Sequence, residues 1–389
     1  MKNTWKIYML TLISFVVGTS QFVIVGTLDQ VAASVDVSVA TAGQLITVFA
    51  LGNAIGTPLV MVATSKMDQR KQLLLALAII LLGVIGVITL PGFGLLMASR
   101  VLLGVGTGVF VVTAYGIAAK LAAPGRQGGA MANIAMGYSS SLVFGVPLGR
   151  MIASSYDWKG IFWGIGLFSL AIFSVARTIP VMEGEASVSL GKRLALLKNP
   201  RIALTLGVTF FVFISYSMLN TYITPFLTAV MPTMKGKLSI ILLAMGIASL
   251  IGSKVGGLLA DRIGIVRTLV GSMVVHIISL VLLSTVSGFG LGMVTLPLLM
   301  IWEIAAWTFG PTQNFNLVSL TPEASGIVLS LNSSFVQLGF AAGAGIGGIV
   351  AGRSSILEIS WVGATSVVIA LLIGVFSFRR GRELSSAQL

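Results

Sequence analysis

The sequence predicts an all-α membrane protein with twelve transmembrane helices in two pseudo-symmetric six-helix halves. Composition, the spacing of apolar runs and an internal repeat predict it. Of 389 residues, 56% are hydrophobic and only 9% charged, against about 25% charged in an ordinary soluble domain. Mean hydropathy is +1.03. A water-soluble globule of this size lacks the polar cover for so much apolar surface, whereas a bilayer accepts it. Breaking the chain at its charged and Gly/Pro-marked joints leaves twelve runs near the roughly 20 residues that a span needs.

The first half holds spans near 7–28, 39–63, 73–90, 94–118, 128–153 and 160–179. The first run is too long for a signal-peptide core and lacks a small-x-small cleavage site, so it is expected to stay as a helix. Asp36 and Ser38, ahead of the second, read as helix-start chemistry. The joint Pro91-Gly92-Phe93-Gly94 is so short that spans three and four must form an antiparallel hairpin. The second half holds spans near 201–226, 238–260, 268–286, 291–314, 325–351 and 359–378. Between the halves, Pro180 to Pro200 carries Glu183, Glu185, Lys192, Arg193 and Lys198 and reads as a cytosolic linker. The domains expected are therefore 1–179, the linker 180–200, 201–378 and a cytosolic tail, 379–389.

Basic residues set the orientation. With both termini inside, 17 of the 24 Lys and Arg fall on the inner side. Four (Lys159, Lys235, Lys237, Arg353) fall outside, and Arg100, Arg150 and Lys254 lie within spans. The net charge of +13 is thus a positive-inside signature, and nucleic acid is not expected as a partner. The chain has no cysteine and one histidine, His276. That excludes disulfide frameworks, thiol catalysis and Cys- or His-rich metal centres; no metal or cofactor is expected.

The halves answer one another. Gly92-Phe-Gly-Leu-x-Met97 recurs as Gly288-Phe-Gly-Leu-x-Met293, and Ser65-Lys66-x-Asp68 stands at the same offset from Asp261-Arg262-x-Gly264. Gly145-x-x-x-Gly149 in span five answers Gly343-x-x-x-Gly347 in span eleven. Nearly equal offsets close to half the length argue for duplication, and parallel six-helix repeats with a site at their interface are transporter architecture.

These residues carry a family resemblance. Gly257-Leu-Leu-Ala-Asp261-Arg262-Ile-Gly264 resembles the cytoplasmic-loop signature of the major facilitator superfamily. Arg100-x-x-x-Gly104-x-Gly106-x-Gly108 is similar to its fourth-helix motif. Gly137 with Gly145-Val-Pro147-Leu-Gly149-Arg150 looks like the fifth-helix motif associated with antiporters. Gly18 to Gly26 and Ala42 to Gly52 are similar to the first two helices of the drug:proton antiporter branch, which contains bacterial sugar, nucleobase and chloramphenicol exporters. The branch usually has Glu where this chain has Gln21, and Trp-Gly where it has Trp302-Glu303. A coupling scheme built on a first-helix Glu is therefore not carried over.

Among eleven acidic residues only Glu303 lies well inside a span. A charge there costs about 3 kcal/mol to insert, so the carboxyl should be neutral, paired or in a wet cavity. It is either a proton- or cation-coupling group or a structural ion-pair partner. Asp29, near the outer mouth, is a second coupling candidate or an interfacial carboxylate. Arg100 must face protein or water, to sense the protonation of a nearby carboxylate or bind an anionic substrate group; the resemblance implies the former, with a permanent structural pair as the alternative. Arg150 and Lys254 read as structural, and His276 as a satisfied core residue. Gly145, Pro147 and Gly149 permit close packing and a bend, and with Asp261 and Arg262 they are the gating candidates that the resemblance implies.

The resemblance also implies that helices one, four, seven and ten line the substrate cavity. Candidate substrate contacts are Gln21, Phe22, Asn53, Asn220, Tyr222, Trp302, Trp307 and Gln313. Amides, a phenol and indoles in apolar surroundings suit a small amphiphile. The function expected is a monomeric secondary active transporter of a bacterial plasma membrane, exporting small amphiphilic compounds (drug, nucleobase or sugar type) against protons. An import symporter and an uncoupled facilitator share the architecture. An intramembrane enzyme lacks the nucleophile–base set or metal ligands it would need.

Overall fold

A computed structural model describes residues 4–123, 127–176, 179–182, 191, 195–288 and 292–386. Most of the linker, including Glu183, Glu185, Lys192 and Arg193, lies outside the described residues, as do Arg126, Arg177 and residues 289–291 of the repeat. No strand occurs among the described residues.

The first half contains α1 (Thr4–Ser34), α2 (Val39–Ala63), α3 (Gln69–Thr89), α4 (Phe93–Leu121), α5 and α6 (Lys159–Ala176). Helix α5 is composite: Gln127–Ser140, a π-helical turn at Ser141–Gly145, then Val146–Ser155. The second half contains α7 (Pro200–Thr221, continued by Ile223–Val230), α8 (Leu238–Ile263), α9 (Ile265–Gly288), α10 (Gly292–Leu320), α11 (Ser325–Arg353) and α12 (Ile359–Ser386). Ten helices are long and apolar enough to cross a membrane among the described residues, and Lys159–Leu170 is a shorter apolar stretch. This is the twelve-helix architecture that the sequence predicts.

Local chemistry sets the ends. The Ser38 side chain accepts from the Thr41 amide at 3.0 Å and caps α2, while Asp36 takes a left-handed φ of 52° in the turn before it. Asp68 caps α3 by accepting from the Lys71 amide at 2.9 Å. Gly92 opens α4 at φ 81° and Gly264 closes α8 at φ 92°, conformations that a Cβ disfavours. Helix α7 breaks at Tyr222 because Pro225 has no N–H for the carbonyl four residues earlier. Helix α12 runs through Ser386, beyond the apolar run ending at 378.

Two π-helical turns were not legible in the apolar pattern. One is Ser141–Gly145, just ahead of Pro147; the other is Gly52–Gly56 in α2, just ahead of Pro58. In each the wider turn accommodates a proline ring whose preceding-turn carbonyl would otherwise clash.

The chain divides into two compact units: Met1–Ser187 with Leu238–Leu243, and Val188–Lys237 with Ala244–Leu389. Within the first, α1 packs on α5, α2 and α3 on α4, and α3 on α6. Within the second, α7 packs on α11, α9 on α10 and on α12. These are the same partnerships advanced by six helices, and the glycines of the repeat sit in them. A Cβ on Gly145 would stand 2.5 Å from Thr19 Oγ1 of α1, and one on Gly343 2.3 Å from the Ile214 carbonyl of α7.

Candidate functional site

In the second unit, Glu303 of α10 faces α7 and is 3% exposed. Its Oε1 accepts from the Tyr216 hydroxyl at 3.1 Å, and its Oε2 is buried with no hydrogen-bond partner among the described residues. No Lys or Arg pairs with it there; the ion pairs among the described residues are Asp68–Lys71 and Asp29–Arg150.

Tyr216 is the hub. Its oxygen also receives the Asn220 Nδ2 donor at 3.2 Å and the Trp307 Nε1 donor at 3.1 Å. Both are N–H donors, so the single hydroxyl proton must point to Glu303, filling the one-donor, two-acceptor capacity of the oxygen. Tyr216 and Asn220 stand four residues apart on α7, hence on one helix face. The Tyr216 ring stacks on Trp302 at 5.4 Å and 17°, and meets Trp307 and Phe340 edge-on. Trp302 donates to His276 Nε2 of α9 at 2.9 Å. His276 thus has a partner, as a core histidine requires.

Tyr222, a candidate substrate contact, is fully buried, its hydroxyl donating to the Ala344 carbonyl of α11 at 2.9 Å and its ring lying against Gly347. Trp302 is likewise fully enclosed, serving Tyr216 and His276. Gln313 lies in a separate amide and hydroxyl network. Its Nε2 donates to the Thr205 carbonyl at 2.7 Å and to Thr209 Oγ1 at 2.9 Å, Thr209 donates to Asn332 at 2.8 Å, and Asn332 donates to Asn314 at 2.8 Å.

In the first unit, Arg100 is completely buried. It donates to the Ser20 carbonyl at 2.7 Å, the Gln21 carbonyl at 3.1 Å and, weakly, the Leu45 carbonyl at 3.5 Å, and lies 4.5 Å over the Phe49 ring. No carboxylate pairs with it among the described residues. Near it, position 21 supplies a backbone carbonyl to the guanidinium, while the Gln21 side chain turns to Tyr138. The guanidinium instead ties α4 to α1 and α2 through backbone carbonyls and a ring face. The Gln21 carbonyl oxygen of the side chain accepts from the Tyr138 hydroxyl, and Phe22 meets the Tyr138 ring edge-on at 5.7 Å.

Asn53 lies in the π-turn of α2, close against Gly108 of α4. Gly104 allows a close backbone approach: its Cβ would fall 2.1 Å from the Phe49 carbonyl. Asp29 pairs with Arg150, which also donates to the Gly26 carbonyl at 3.1 Å. Asp29 therefore has a fixed cation that Glu303 lacks. The two residues stand 121 apart in the chain, so their pairing was not legible from spacing.

Gly149 packs on Val23 of α1, and Pro147 follows the π-turn of α5. Asp261 and Arg262 are exposed in the last turn of α8 and make no ion pair among the described residues. Asp261 borders a surface hollow of about 530 Å³ with Gly264, Arg267 and Phe315.

A model of the Major Facilitator Superfamily matches residues 10–344. The uncharacterized MFS-type transporter YbcL of Bacillus subtilis (strain 168) is 45% identical over 379 residues, covering 97% of each chain. Among solved structures, a D-xylose-proton symporter superposes with a TM-score of 0.77 at 17% identity, over 95% of this chain and 96% of its own. The nucleoside transporter NupG superposes with a TM-score of 0.75 at 13% identity, over 97% of this chain and 100% of its own. Those two likenesses establish the fold. With most of its length matched and a relative aligned nearly end to end, the chain belongs to the Major Facilitator Superfamily.

Proposed function

We propose that this transporter is a proton-coupled exporter of small amphiphilic compounds and that Glu303 carries the coupling proton. As a superfamily member it is a multi-pass membrane protein and a secondary transporter that works by alternating access; the coupling, direction and substrate are our reading. The observation that carries it is a buried carboxyl with one oxygen held by Tyr216 and the other without a hydrogen-bond partner among the described residues. When protonated, with the proton on Oε2, Glu303 is neutral and compatible with a dry surround. When ionised, it needs water or a substrate group at Oε2, because no Lys or Arg pairs with it among the described residues. Proton and substrate thus alternate at one atom, which links the two fluxes without both binding together.

In the second unit the candidate substrate contacts of this reading are Trp307 and Asn220 beside Glu303, with Tyr222 as a further candidate. Gln21, Phe22 and Asn53 are the candidates of the first unit, taken by itself. Asp261 and Arg262 act as a cytoplasmic-side clamp, one-sided because Ser65 stands at the matching position. Gly145, Pro147 and Gly149 let α5 flex against α1. Both termini are cytosolic, in a bacterial plasma membrane, following the asymmetry of Lys and Arg.

The network of Gln313, Thr209, Asn332 and Asn314 favours a second reading. Uncharged amides and hydroxyls suit hydroxyl-bearing solutes, and a D-xylose-proton symporter shares the fold. Proteoliposomes separate the two whichever way the protein inserts. Nucleobases, sugars, phenicols and lipophilic cations are offered under opposite pH gradients. Accumulation with an acidic interior supports antiport; accumulation only with an alkaline interior supports symport and overturns export.

A further inference from the structure

We infer that His276, on α9, is the positioning residue of the Glu303 site: it holds the Trp302 indole, which in turn holds the Tyr216 ring that donates to Glu303. His276 is 1% exposed. Its Nε2 lies 2.9 Å from Trp302 Nε1 and 3.2 Å from Ser215 Oγ, the residue just before Tyr216. The indole N–H is a donor only, so Nε2 must be the acceptor and the neutral imidazole carries its proton on Nδ1. The imidazole and indole planes stand at 85°, which leaves the indole face free for stacking while its edge is hydrogen-bonded.

That face is used. The Tyr216 ring lies on it at 17°, and Trp307 and Phe340 close the sides at 88° and 79°. A ring boxed in this way has one direction for its hydroxyl. The Asn220 and Trp307 donors occupy the acceptor sites of that hydroxyl, and Glu303 Oε1 takes its proton. No hydrogen bond joins His276 to Glu303 among the described residues; the influence runs through two aromatic rings.

Packing alone and positioning make opposite demands at this place. If His276 only fills space, Phe should replace it and Gln should do worse. If its acceptor matters, Gln should replace it, since the amide oxygen can receive the indole N–H, and Phe should fail because it offers none. With the anchor lost, the indole turns to find another acceptor and the Tyr216 ring loses its support.

Infrared difference spectra between acidic and alkaline pH test this on the full chain in lipid nanodiscs. The carbonyl band of protonated Glu303 is assigned by its loss in Glu303→Gln. Donation from Tyr216 to Oε1 lowers its wavenumber. We expect His276→Phe to raise the band to the position found in Tyr216→Phe, His276→Gln to leave it in place, and the Phe/Phe double variant to shift it no further. A band unmoved by His276→Phe, or moved as far by Gln as by Phe, overturns the inference. Should His276→Phe not fold, Trp302→Phe removes the same N–H while keeping a ring, and an unmoved band there overturns it equally. The inference rests on the coupling reading for its bearing on transport, but the two fail separately. Coupled transport surviving in Glu303→Gln defeats the coupling reading and leaves the band test intact; an unmoved band defeats only the positioning.

Discussion

The Asp29–Arg150 pair makes an asymmetric prediction. Removing one partner of a fully buried ion pair costs about 3–5 kcal/mol, because the other charge is stranded. Here the two ends are not equally buried: the Arg150 side chain is 9% exposed and that of Asp29 32%. Arg150→Met leaves a carboxylate that water can reach, so the penalty falls toward the about 1 kcal/mol of an exposed pair. Asp29→Ala strands the more buried guanidinium with only the Gly26 carbonyl at 3.1 Å, and should cost about 2–4 kcal/mol. The double variant removes both charges and should be more stable than Asp29→Ala alone. Intrinsic fluorescence of the six tryptophans during heating in detergent ranks the four proteins. If Arg150→Met lowers the midpoint as much as Asp29→Ala, or if the two losses add, the burial argument is wrong.

Three further outcomes follow from particular contacts. Gly104→Ala should lower thermal stability and the yield of folded protein, by about 1–3 kcal/mol of overpacking, because its Cβ would meet the Phe49 carbonyl at 2.1 Å; heated size-exclusion profiles would show this, and an unaffected profile would contradict the packing of α4 on α2. Tyr222→Phe should cost about 0.5–1.5 kcal/mol by removing the hydrogen bond to the Ala344 carbonyl, and should leave substrate affinity unchanged; a selective loss of affinity would place Tyr222 in the binding site. Because the chain has no native cysteine, single cysteines at Tyr156 and Ser65 report topology cleanly: the first should react with an impermeant maleimide in intact cells and the second only with a permeant one, and the reverse pattern would invert the orientation.

Much of the fold was legible because apolar length and a repeat are properties of sequence. The Gly145 and Gly343 repeats anticipated equivalent contacts, α5 on α1 and α11 on α7. Glu303 was visible as a carboxylate in an apolar run. Its surroundings were not. Helices that are apolar on every side give no moment to say which face meets which neighbour, so the line from His276 through Trp302 to Tyr216 could not be read from spacing. Arg100 was read as the partner of a side chain, whereas its partners are backbone carbonyls, which carry no residue identity. The break at Tyr222 depends on Pro225 rather than on the apolar pattern.

The central claim is that Glu303 carries the coupling proton, and Glu303→Gln tests it most directly. The amide keeps the size and the acceptor for Tyr216 but has no exchangeable carboxyl proton. In proteoliposomes, wild-type protein and the variant are compared with one transported neutral solute in two modes: uphill accumulation driven by a pH gradient, and counterflow without one. The account predicts that the variant loses accumulation and retains counterflow. If it still concentrates the solute against its gradient at the wild-type rate, Glu303 is structural and the coupling group lies elsewhere.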